Sequence, residues 1–161
     1  MKRLFILFTI GALASCTRQT GNNAQTGTLT IDSLQKQIEK IKPGLGEIMM
    51  GVQTHHAKVW FAGINNNWPL AEYEMGELKE MFDQAREIET DRPEIKTMPM
   101  IYPPIDSLNS AIARKDLPAF KKGFELLTNT CNNCHTANHF EFNVITIPTV
   151  PPVTNQDFRP H

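Results

Sequence analysis

Apolar residues recur at helical spacing along most of this chain. Leu34, Ile38 and Ile41 step by four and three residues. After Pro43 and Gly44 the stripe resumes as Leu45, Ile48, Met49, Val52, His56, Val59, Trp60 and Gly63. Such i, i+3, i+4, i+7 spacing predicts an amphipathic helix. Pro43 predicts either a kink in one long helix or a true first helix that starts after a short lead-in. The stretch INNNWP (64–69) reads as a turn, with Asn67 as N-cap and Pro69 in the next first turn. A second helix then carries Leu70, Tyr73, Leu78, Met81, Phe82, Ala85 and Ile88 on one side. Its other side, with Glu72, Glu74, Glu77, Lys79, Glu80 and Asp83, reads as solvated. Residues 91–104 hold four prolines and read as a connection. A third helix follows over about 105–114. Asp116 caps a fourth, in which Phe120, Phe124, Leu127 and Cys131 repeat at four, three and four residues.

The ends break the helical period. Residues 16–30 are polar and predict a flexible tether. Residues 140–161 contain Pro148, Pro151, Pro152 and Pro160, too many for a helix, yet Phe140, Phe142, Val144, Ile145 and Ile147 call for burial. The expectation is a Pro-rich extended strap across the helices. The fold class that results is all-α, an antiparallel four-helix bundle over residues 31–139.

The first residues, MKRLFILFTIGALASC, place Lys2 and Arg3 before a short apolar run, Leu4 to Leu13. A spanning helix needs about 20 apolar residues, so this is the layout of an export signal. Leu13-Ala14-Ser15-Cys16 resembles a bacterial lipobox. That resemblance implies removal of residues 1–15 and a lipid on Cys16. The expected location is exported, on the periplasmic side, lipid-anchored to a membrane. The chain of 161 residues is 40% apolar, enough for one packed domain, and its formal charge is −1. No basic stripe marks a nucleic-acid partner.

With Cys16 assigned to lipid, the remaining two cysteines stand together in TNTCNNCHTANH. On a helix, Cys131, Cys134 and His135 occupy i, i+3 and i+4 and share one face. The spacing suits one covalent haem c. Two thiols add to its vinyl groups and the adjacent imidazole reaches the iron from the same side. Two other readings stay open. Zinc could take Cys131, Cys134 and His139, with His55 or His56 completing the set. A redox dithiol would also use the pair, though such pairs favour helix N-termini, where a thiolate is stabilised.

A helical bundle with CxxCH on its last helix resembles the cytochrome c-prime and cytochrome c-556 group. The likeness covers residues 31–139, and the CxxCH is its specific part. MMGVQTHHAKVWFAGINNNWPLAEYE (49–74) and TNQDFRP in the tail further resemble a set of bacterial cytochrome-like lipoproteins with no assigned activity. The chain departs from the group in two places. Thr136, Ala137, Asn138 and His139 follow the motif where an Arg or Lys is common, and the Pro-rich tail is extra.

His135 is then the proximal ligand. In an antiparallel bundle the end of the last helix meets the start of the first, where Met49 lies on the core face. The resemblance implies the same, since its c-556-like members use a methionine near the start of the first helix. Met50 is rotated by about 100°. His56 is the alternative distal ligand, although it lies roughly 10 Å further along the axis. Gln53, one turn from both, is a candidate hydrogen-bond partner. Trp60, Phe61, Trp68 and Tyr73 read as core that closes the opposite end of the bundle. Lys121 and Lys122 read as plain surface.

Two functions follow from the haem reading. One is an electron carrier with His/Met iron, serving a membrane-associated redox partner. The alternative is a five-coordinate, cytochrome c-prime-like protein that binds NO or CO. No nucleophile–base pair or paired carboxylates suggest an enzyme. The sequence leaves open monomer or homodimer.

Overall fold

The computed structural model describes residues 30–161. The signal, the lipidation candidate Cys16 and nearly all of the tether lie outside the described residues. Among the described residues the chain is all-helical, with helices α1 (Ile31–Ile41), α2 (Leu45–Ile64), α3 (Trp68–Ile88), α4 (Tyr102–Ala113) and α5 (Leu117–Ala137), and no strand.

Helix α1 stands apart. Thr30 caps it by accepting from the Ser33 N–H at 3.2 Å, and it ends at Lys42, which is extended at ψ 135 as a residue before proline must be. None of its residues is buried. Its apolar stripe therefore belongs to no core, contrary to the continuous face expected from the spacing. Pro43 breaks the helix and does not kink it.

The other helices turn tight corners. Helix α2 ends with Asn66 in the left-handed region (φ 59), and the Asn67 N–H reaches back to the Ala62 carbonyl at 2.9 Å. Asn67 then caps α3, accepting from the Leu70 N–H. Between α4 and α5 the device is repeated. Lys115 (φ 56) reverses the chain, the Asp116 N–H bonds the Ala111 carbonyl, and Asp116 caps α5 through the Ala119 N–H. In each case one residue closes one helix and opens the next, so consecutive helices double back and pack.

These corners bring four long helices onto one core. Phe120, Phe124, Met75, Leu78, Ile105, Leu108 and Leu127 are fully buried. Each contributes roughly 1.5–3 kcal/mol on leaving water. The register of α2 against α5 runs in opposite senses. Gly63 lies against the Phe120 ring, Trp60 lies against both Phe120 and Phe124, and His56 lies against Phe124. Gly63 permits this approach, since a Cβ there would fall 2.1 Å from the Phe120 ring.

Several placements differ from the spacing argument. Tyr73 is 60% exposed, whereas Glu74, assigned to the solvated side, is buried. Glu74 turns inward because α2 offers it two partners, His55 Nδ1 at 2.7 Å and the Lys58 ammonium at 3.3 Å. The connection after α3 is ordered as two 3-10 turns, Pro93–Lys96 and Met98–Ile101, which bury Met98 and Ile101. Helix α4 starts at Tyr102, ahead of the expected 105, because Pro103 and Pro104 fall in a first turn where no N–H is needed. Residues 140–161 contain no helix. Their apolar side chains are not all covered: Phe142 and Val144 are exposed, and Phe158 carries the burial, packed against Phe61.

Candidate functional site

The antiparallel register brings the end of α5 beside the start of α2. There a cavity of about 270 Å³ opens, with Cys131, Cys134 and His135 on its wall. Leu45, Met49, Val52 and His56 of α2 and Phe82 of α3 face them. Met98 and Ile101 close another side, and Phe140, Asn143 and Ile145 of the C-terminal segment reach it as well. The structure thus gathers the motif, Met49 and His56 in one place. Met50 borders the same cavity although it is largely exposed, and so does Gln53, which is exposed as well.

Each motif residue is held differently. Cys131 packs against the apolar core. Burial, reinforced by the neighbouring Cys134, pushes its thiol up to about 12, so it stays neutral. Cys134 faces polar groups. Thr97 gives its hydroxyl proton to the Glu94 carbonyl and lies 3.6 Å from the Cys134 sulfur. The Asn138 amide bonds both Thr97 Oγ1 and the Cys134 carbonyl at 2.7 Å. His135 Nδ1 lies 2.5 Å from the Asn143 carbonyl oxygen. That oxygen can only accept, so Nδ1 carries the hydrogen and Nε2 keeps its lone pair free for a ligand bond.

His56 is engaged elsewhere. Its Nε2 is 2.9 Å from Thr128 Oγ1, whose own proton goes to the Phe124 carbonyl. The hydroxyl therefore accepts, and His56 Nε2 donates. Burial lowers the His56 pKa to about 4, and the ring is neutral near pH 7. Donation from Nε2 leaves the lone pair of the neutral His56 ring on Nδ1, so the Thr128 bond ties one ring nitrogen only, and both Met49 and His56 stand on the cavity wall.

The spacing argument missed two wall residues. Met98 is a buried methionine on the cavity, where Met49 is only partly buried, and Arg92 is the cation there, bonded to Glu94 at 2.6 and 3.2 Å. Both sit in the proline-rich connection, where no helical period exists to place them. The zinc set does not assemble. His55 faces Glu74, His139 is exposed at a helix end, and among the described residues no three His, Cys, Asp or Glu side chains group as metal ligands.

The donor set suits a covalently held macrocycle better than a bare ion. Two thiols and a bare imidazole nitrogen lie on one wall, the lining is chiefly apolar, and the rim offers a guanidinium to acidic groups. No protein-family model matches the chain, and neither a curated protein nor a solved structure matches it.

Proposed function

We propose that this chain is a mono-haem c-type cytochrome of the cytochrome c-prime and c-556 kind. In this reading α2–α5 form an antiparallel four-helix bundle with haem attached on α5, and lipid on Cys16 holds the protein at the periplasmic side of a membrane. It carries electrons to or from a membrane-associated redox partner. The single observation that supports this most is the convergence of Cys131, Cys134, His135 and Met49 on one largely apolar cavity.

When bound, haem c supplies an iron that cycles between ferrous and ferric states. The chain does the rest. Cys131 and Cys134 would hold the haem through thioethers, and the Cys131 thiol, kept neutral by burial, is ill suited to dithiol exchange. His135 offers Nε2 as the proximal ligand. Met49 would supply a soft sulfur as second ligand, which would favour the reduced state and exclude small ligands. Arg92 can exchange its Glu94 contact for an acidic group of the macrocycle at the rim. Val52, Phe82, Met98 and Ile101 give the cavity an apolar lining.

The test is the visible spectrum of the ferrous protein, matured in a host that attaches haem c, before and after CO. The wild type should be low-spin and unmoved by CO. Met49→Ala should become high-spin and bind CO, while Met98→Ala should remain closed. A wild type that binds CO as purified would give first place to the NO- or CO-binding alternative.

A further inference from the structure

The CNNCH motif carries two asparagines that attachment chemistry does not use. Asn133 is exposed. Asn132 is half-buried, and its amide makes a reciprocal pair with one residue of the tail. Its Nδ2 donates to the Ile145 carbonyl at 2.9 Å, and its Oδ1 accepts from the Ile145 N–H at 2.8 Å. A side chain here copies the pairing of a neighbouring strand.

The path of the chain gives this pair a purpose. Helix α5 ends with His139 in the left-handed region (φ 64), and the Phe140 N–H bonds back to the His135 carbonyl at 2.8 Å. The Asn143 N–H then bonds the Phe140 carbonyl at 2.8 Å, and the chain returns alongside the helix it has just left. This return brings the Asn143 carbonyl to His135 Nδ1. The returning segment has little burial of its own, with Phe142 80% and Val144 64% exposed. What fixes it is the Asn132–Ile145 pair, two residues beyond the carbonyl in sequence and one helical turn from His135.

We propose that Asn132 is a positioning residue for the proximal ligand. By pinning the tail at Ile145 it holds the Asn143 carbonyl on His135 and fixes the Nδ1–H tautomer, which strengthens Nε2 as a metal donor. This rests on the haem reading above. A stronger imidazole donor favours the more positive oxidation state of a metal it binds, so the pin lowers the reduction potential. The tail is then part of the site and not a passive cover.

The experiment uses the full mature chain with haem attached. The reduction potential is measured by spectroelectrochemistry, and exchange of the His135 Nδ1 proton is followed by NMR in the ferrous form. Asn132→Ala should raise the potential and speed that exchange at unchanged helix content. Ile145→Pro, which removes the N–H received by Asn132, should shift both in the same direction. Asn133→Ala should do neither. If Asn132→Ala and Ile145→Pro hold haem at the wild-type potential, the proposal is overturned. A wild-type chain without haem bands overturns the attachment reading itself, and the proposal with it.

Discussion

His56, the alternative distal ligand by sequence, belongs in the fold to both the core and the cavity wall. It sits on the packed face of α2, buried to 3% exposure, between Phe124 and Thr128. Its pKa is lowered from 6.5 to about 4 by burial. Above pH 6.5 both folded and unfolded chains hold it neutral, and it adds no pH dependence. As pH falls from 6.5 toward 4, the unfolded chain takes up a proton that the folded chain refuses, so stability is lost. Below about 4 the loss levels off at roughly 3 kcal/mol. Denaturant titrations across this window should show His56→Gln losing less stability than the wild type by about that amount. Parallel curves would mean that His56 is hydrated in the fold. The contrast with Cys131, Cys134 and His135 is instructive. They were legible as a candidate site because two thiols and an imidazole at fixed spacing admit few uses. Met98 and Arg92 were not, because their position depends on two short 3-10 turns that leave no period in the sequence.

At the scale of elements, what the apolar period conveyed was the inward side of each long helix, and what it missed was the environment that side would meet. Helix α3 takes Glu74 inward because His55 and Lys58 of α2 await it. Helix α1 keeps a clean apolar stripe yet buries nothing, since the Lys42-Pro43-Gly44 break detaches it from α2. The corners were more readable. Asn67 and Asp116 cap as their residue types suggest, although the left-handed residues before them, Asn66 and Lys115, are not glycines. The α2–α5 contact turns on a missing side chain. A methyl at Gly63 would lie 2.1–2.5 Å from three atoms of Phe120. Phe120 is itself wedged among Trp60, Trp68 and Phe124. Gly63→Ala should therefore cost about 3 kcal/mol, at the upper end for overpacking, read as a fall in denaturation midpoint with unchanged helix content. A neutral outcome would mean that the ring can swing clear.

At the scale of the whole molecule, one geometric fact organises the rest. Helices α2 and α5 run in opposite senses, so Gly63 meets Phe120 at one end while Met49 and His135 share a cavity at the other. The C-terminal segment spans this length. It leaves the cavity at Asn143 and Ile145, and near its end it meets the α2–α3 corner through Phe158 on Phe61 and the Arg159 carbonyl on Asn67. The cavity is thus lined beside His135 by residues remote from any helical pattern. The central claim is that this cavity holds one haem, covalently, on Cys131 and Cys134. Its most direct test is the intact mass of the purified, denatured protein after expression with c-type maturation. The account predicts a gain of one haem that survives denaturation and disappears in the Cys131→Ala/Cys134→Ala double variant. A wild-type mass equal to that of the bare processed chain would contradict it.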